Sequence, residues 1–133
     1  MKTLGIDFGS KRVGLALSDS LGMLASPLPV YTRTHYKKDV QAIVDIAKKN
    51  GCDVIVLGRP YHMNGDVSEK IKQVEEFAKS LKDVGGVNIE YIDERLTSVQ
   101  GARIMSESGS KKQNIDSVCA AIILQTYLDK VRR

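Results

Sequence analysis

Apolar residues recur at every second position from Leu4 to Leu17: Leu4, Ile6 and Phe8 precede Gly9-Ser10, and Val13, Leu15 and Leu17 follow it, with small residues between them. That alternation predicts two strands joined as a hairpin, deep in a sheet. The stretch from Leu24 to Tyr31 predicts a third strand, placed on an edge because Pro27 and Pro29 interrupt it. After Arg33, Thr34, His35 and Tyr36 the period changes to that of a helix. Val40, Ile43, Val44 and Ala47 share one face, Lys48 and Lys49 fall in the last turn, and Gly51 ends it.

Asp53 to Gly58 is a short, nearly continuous apolar run, as expected of a buried parallel strand. The loop from Arg59 to Gly65 leaves its carboxyl end, the edge of an open α/β sheet where ligands bind. Asp66 with Glu69 three residues on forms a capping-box variant opening a second helix, with Ile71, Val74, Phe77, Ala78 and Leu81 on one face and Gly85-Gly86 at its end. Val87 to Ile92 reads as a fifth strand that runs into Asp93-Glu94-Arg95. Thr97 with Gln100 opens a short helix ending near Gly109, a polar loop covers 110–114, and a last helix covers 115–131. On that helix Asp116, Ala120, Ile123, Leu124 and Tyr127 share a stripe, so Asp116 heads a face that is otherwise apolar. The order predicts an α/β protein with a five-stranded mixed sheet, strand order 3-2-1-4-5, the second strand antiparallel to the rest and helices on both faces.

Composition narrows the class. With 133 residues, 42% hydrophobic and 27% charged, the chain reads as one domain over residues 1–133, able to bury a core without disulfide or metal staples. No apolar run approaches the ~20 residues needed to cross a bilayer and no secretory pattern opens the chain, so no membrane partner and a cytoplasmic location are expected. Cys52 and Cys119 lie far apart and outside any C-x-x-C pair, which predicts free thiols and no zinc site. A net charge of +4 permits a polyanionic partner but does not require one. His35 and His62 are the two histidines, in different loops, and both read as surface or packing residues.

The acids carry the chemistry. Asp7 interrupts the apolar run of the first strand, where an unpaired carboxylate costs several kcal/mol and needs a compensating group. Asp beside Gly also serves simply to cap a turn, and both readings of Asp7 stand at this level. If the later strands run parallel to the first, Asp7, Asp93, Glu94 and Asp116 converge at one edge. Clustered carboxylates repel unless cations lie between them, and hard oxygen donors suit Mg2+ or Mn2+. Two such ions, about 3.5 to 4 Å apart, would activate a water and stabilise the leaving oxygen in phosphodiester cleavage. The competing reading makes Asp93 an ion-pair partner of Arg95 and Asp116 a helix cap. Within the Asp93-Glu94 pair the alternation does not say which side chain faces inward, and Glu94 is favoured.

Gly5-Ile6-Asp7-Phe8-Gly9-Ser10-Lys11-Arg12-Val13-Gly14-Leu15-Ala16, the Gly58-x-Pro60 and Met63-Asn64-Gly65 loop, Asp93-Glu94-Arg95-Leu96-Thr97-Ser98, and Ile115-Asp116-Ser117 with Ala120-Ala121 together resemble the YqgF/RuvX family. The resemblance runs from the first strand to the last helix. It implies an RNase H-like fold, kinship with Holliday junction resolvases, and a nuclease that matures the 5′ end of 16S ribosomal RNA. It also implies that Asp7, the acid of the Asp93-Glu94-Arg95 motif and Asp116 form the metal-binding catalytic set. Lys11, Arg12, Arg95, Lys111 and Lys112 come from segments meeting at the same edge and are the expected phosphate-binding residues of a nucleic-acid partner. Arg59, Tyr61 and His62 occupy the loop that would bear on substrate choice. Alternatives are a resolvase acting on branched DNA and an RNA-binding module with a vestigial site. The Asp-x-Gly hairpin also resembles the phosphate loop of the actin and sugar-kinase superfamily, whose two-domain ATP site needs more chain than 133 residues hold.

Overall fold

The computed structural model describes residues 2–61, 68–107 and 112–132, and of 106–107 and 112–114 the backbone alone. Its strands are β1 (Lys2–Phe8), β2 (Arg12–Ser18), β3 (Ala25–Pro27), β4 (Tyr31–Thr32), β5 (Cys52–Arg59) and β6 (Asn88–Asp93). Its helices are α1 (Tyr36–Lys49), α2 (Glu69–Gly85), α3 (Val99–Glu107) and α4 (Lys112–Val131), with a 3-10 turn at Glu94–Leu96. The sheet order is β3-β2-β1-β5-β6, and β4 pairs with β2 beyond β3. β1 and β2 form the expected antiparallel hairpin, closed by the Gly9 N–H donating to the Arg12 carbonyl at 2.9 Å, while β1, β5 and β6 run parallel.

The single edge strand expected over Leu24 to Tyr31 is two short strands, so the sheet has six strands rather than five. The prolines are the cause: neither Pro27 nor Pro29 has an N–H to donate, and ladder pairing to β2 ends at Pro27 and resumes at Tyr31, one residue out of register. Leu28, between the two, still donates to the Leu15 carbonyl at 2.8 Å.

Two apolar clusters lie on opposite faces of the sheet. Leu4, Ile6, Phe8, Val13 and Leu15 point to α1 and α2, meeting Ile43, Val44, Val74, Phe77 and Leu81. Ala16, Val56 and Ile92 point the other way, to Val99 of α3 and Ala120, Ile123 and Leu124 of α4. The small residues alternating with the large ones in β1 and β2 therefore have a purpose: they face α4.

Three helix boundaries differ from expectation. α2 is capped by Ser68, whose hydroxyl accepts the Ile71 N–H at 3.2 Å; Asp66, the expected cap, lies outside the described residues. Thr97 ends the 3-10 turn, and its hydroxyl both donates to the Glu94 carbonyl and accepts the Val99 N–H, so it links the turn to α3. α4 begins at Lys112, so part of the expected polar loop is helical. Gly86, at φ 65, closes α2 in the left-handed conformation that glycine adopts without penalty.

Candidate active site

Asp7 lies opposite Gly14 in the β1–β2 ladder and, by strand alternation, on the face covered by α4. Three glycines let that face be approached closely. A Cβ on Gly14 would stand 1.9 Å from the Asp116 carbonyl oxygen, and one on Gly5 would stand 2.6 Å from Leu124 Cβ. One on Gly58 would meet both Glu94 Oε2 and Ile123 Cδ1 at 2.7 Å. The same missing side chains thus bring the start of α4 against the hairpin and let the Glu94 side chain lie across β5.

The Asp93-Glu94 ambiguity is resolved by facing. Ile92 belongs to the cluster beneath α4, Tyr91 packs on the opposite cluster, and Glu94 follows Ile92 to the side of Asp7. Asp7 and Glu94 are 6% and 3% exposed. They share one cation: Arg103 of α3 donates through Nη2 to Asp7 Oδ1 at 2.7 Å and through Nη1 to Glu94 Oε1 at 2.8 Å. Burial lifts the Asp7 carboxyl above the ordinary range; Arg103 pulls it down, Glu94 pushes it up, and the net direction is upward. Lys70, in the first turn of α2, also acts on Asp7 with a lowering effect.

The other expected residues have partners of their own. Asp116 accepts from Arg12 Nε at 2.7 Å. Its neighbour Ser117, buried, accepts the Leu15 N–H at 3.1 Å, fastening α4 to β2. Asp93 takes Arg95 through both carboxylate oxygens, at 2.7 to 3.1 Å, and caps the 3-10 turn through the Arg95 N–H at 2.9 Å. Arg95 Cζ also lies 5.0 Å from the centre of the Tyr61 ring. Lys11 is exposed in the hairpin turn. Lys111 and His62 lie outside the described residues, as does the Lys112 side chain. Arg59 turns away from the acids, stacking 3.6 Å over Tyr91 and pairing with Glu75 at 3.1 Å.

Arg103 is the residue that sequence reading passed over. It stands four positions after Val99, on the stripe of α3 that Val99 buries, and a cation on such a stripe nine residues after a buried acid was the available signal. Cys119, a free and buried thiol, packs in the apolar cluster with Val56, Ile92 and Val99. Burial, with Asp7, Glu94 and Asp116 adding to it against Arg103, pushes its thiol up to about 11.

Among the described residues no three His, Cys, Asp or Glu side chains stand together as a ready-made metal cage. The donor chemistry at Asp7 and Glu94 nevertheless fits a hard divalent ion: both present buried anionic oxygens to one positive centre, and one guanidinium leaves the pair short of neutrality. Asp116 is turned to Arg12, 2.7 Å from its Nε.

A sequence model described as RuvX, Holliday junction resolvase, matches residues 1–130. A protein of Endomicrobium trichonymphae named as a candidate pre-16S rRNA nuclease is 40% identical over 96% of this chain and 95% of its own length. Among solved structures, Thermus thermophilus RuvC in complex with a Holliday junction substrate aligns with a TM-score of 0.64 at 11% identity, over 99% of this chain and 96% of that one. The large terminase nuclease of phage G20c with bound magnesium aligns at 0.57 and 11%, over 95% and 80%. The fold is that of the RNase H-like resolvases, as expected.

Proposed function

Because the chain belongs to the RuvX family, we propose that it is a metal-dependent nuclease that hydrolyses phosphodiester bonds at the 5′ end of precursor 16S rRNA. The observation that carries the reading is the buried Asp7–Glu94 pair, two carboxylates at the carboxyl ends of the parallel strands β1 and β6, bridged by the Arg103 guanidinium. An arrangement built for stability alone would more simply use apolar side chains, since buried ionic groups are often neutral or destabilising against well-packed hydrophobic ones.

In this reading Asp7 and Glu94 hold Mg2+ or Mn2+, with Asp116 completing the set for a pair of ions once it parts from Arg12. A bound ion supplies a water of lowered pKa and Lewis acidity at the phosphoryl oxygen. The chain's own side chains do the rest. β1 and the 3-10 turn fix the two carboxylates on rigid elements, so little reorganisation is left to the reaction. Lys11 and Arg12 in the hairpin, with Lys70, Lys111 and Lys112, offer cations to the phosphate backbone, while Asp93 holds Arg95 at the rim.

The test is cleavage, in Mg2+ and in chelator, of an RNA spanning the mature 5′ end of 16S rRNA and of a four-way DNA junction, by the natural chain and by Asp7→Asn. Cleavage of the RNA, dependent on metal and lost in Asp7→Asn, supports the reading. Preferential cutting of the junction would move the substrate to branched DNA. Metal-independent cutting, or an active Asp7→Asn, would refute the site.

A further inference from the structure

Resting on the metal reading of Asp7 and Glu94, we propose that Arg103 is the resident cation of the site: its guanidinium holds the two carboxylates in metal-free protein, and metal loading displaces it. Two arms of the fork, 2.7 Å to Asp7 Oδ1 and 2.8 Å to Glu94 Oε1, engage donor oxygens of the proposed site, so guanidinium and divalent ion compete for the same atoms. Without any cation, two buried carboxylates side by side repel each other and lose hydration that nothing replaces. Arg103 answers that cost with a single charge, and a divalent ion answers it in full.

The surrounding structure permits the exchange. The Arg103 side chain is 33% exposed against 7% and 4% for its two partners, so the cation has a way out while the acids stay. Asp7 is fixed by the β1 ladder and Glu94 by the 3-10 turn, whereas Arg103 rides on α3, a nine-residue helix anchored through Val99 and Ala102 with Ile104 and Met105 in solvent. A long side chain swinging about a short helix moves far more easily than a strand in the middle of a sheet. Once released, the guanidinium remains at the edge where a phosphate backbone would pass, and its planar fork suits phosphate as well as carboxylate.

The consequence is a metal affinity held down by the protein itself. A site available only when Arg103 is out binds with its intrinsic affinity reduced by the open fraction, so a tenfold preference for the closed form weakens apparent binding roughly tenfold. The experiment is titration of Mn2+, followed by paramagnetic resonance of the free ion and by thermal melting, into the natural chain, Arg103→Gln, Arg103→Lys and Asp7→Asn. Arg103→Gln is expected to bind Mn2+ roughly tenfold tighter than the natural chain. It is also expected to melt lower without metal and to regain the difference with it. Arg103→Lys keeps the charge but loses the fork, and is expected to bind tighter than the natural chain by a smaller factor. A folded Arg103→Gln that binds Mn2+ no tighter overturns the proposal. So does an Arg103→Lys that matches the natural chain, because the gain would then be general electrostatics. If Arg103→Gln does not fold, Arg103→Lys decides by the same comparison. Loss of binding in Asp7→Asn together with unchanged affinity in the Arg103 variants removes only this inference. An Asp7→Asn that binds like the natural chain, or a natural chain that binds no Mn2+, removes the metal reading beneath it as well.

Discussion

Two buried aspartates behave oppositely because their surroundings differ. Asp39 is fully buried, which by itself raises its carboxyl, but the Thr34 N–H, Arg33 and the Tyr31 hydroxyl outweigh burial and hold it below the usual carboxylate range. Its folded value lies below its unfolded one, so its stabilising effect is complete above about pH 4 and is lost as pH falls through the lower folded value. Asp39→Asn is therefore expected to lower the melting temperature at pH 7, by an amount equivalent to about 3 kcal/mol, and to narrow the gap with the natural chain as pH falls through the lowered folded value. Asp7 has the reverse balance, sharing one guanidinium with a second buried carboxylate. In metal-free buffer Asp7→Asn is expected to melt at or above the natural chain while losing cleavage, the trade between stability and activity expected at a functional carboxylate. Parallel melting curves of the two variants from pH 2.5 to 7 check both signs.

At the scale of elements, the site depends on how closely α4 lies on the hairpin. Gly14→Ala would place a methyl 1.9 Å from the Asp116 carbonyl, which must shift, taking with it the Ser117 bond to β2. Urea unfolding is expected to show a loss of about 1 to 3 kcal/mol, the usual cost of overpacking. Unchanged stability would mean that α4 does not sit where the glycine requires. Much of this was legible in the chain. The alternation in β1 and β2 and the 3.6-residue stripes of α1, α2 and α4 follow from local pattern, and the structure agrees; of the four acids expected at one edge, Asp7 and Glu94 share Arg103, whereas Asp116 pairs with Arg12 and Asp93 with Arg95. What local pattern could not reveal depends on partners distant in sequence. Glu94 was separated from Asp93 only by knowing which face α4 covers, and the Arg12–Asp116 pair joins residues 104 positions apart. Arg103 was passed over for the same reason: its place on the Val99 stripe is a signal, but nothing near it in the chain shows that the stripe looks across at Asp7. The edge strand was misjudged at Pro27 and Pro29, where one missing donor is tolerated and two break the ladder.

Across the whole molecule, the net charge of +4 matters less than where the cations lie. Arg33 is committed to Asp39 and to the Gly9 carbonyl, Arg95 to Asp93, and Arg12 to Asp116. Lys11 stands exposed in the turn that follows Asp7. Lys11→Ala is accordingly expected to weaken RNA binding alike across sequences and to reduce the salt slope by about one, whereas Arg95→Ala, already neutralised by Asp93, is expected to change the slope less. Filter binding from 50 to 300 mM salt separates the two variants, and a larger change for Arg95 would mean that it leaves Asp93 for phosphate.

The central claim is that Asp7 and Glu94 together hold the divalent ion of a nuclease. Anomalous diffraction from crystals grown with Mn2+ tests it most directly, since the ion's signal locates it without reference to activity. The account predicts a manganese peak within coordinating distance, about 2.0 to 2.3 Å, of oxygens from both Asp7 and Glu94, with the Arg103 guanidinium withdrawn from them. Manganese bound elsewhere, with Arg103 still bridging the two carboxylates at saturating metal, would contradict it.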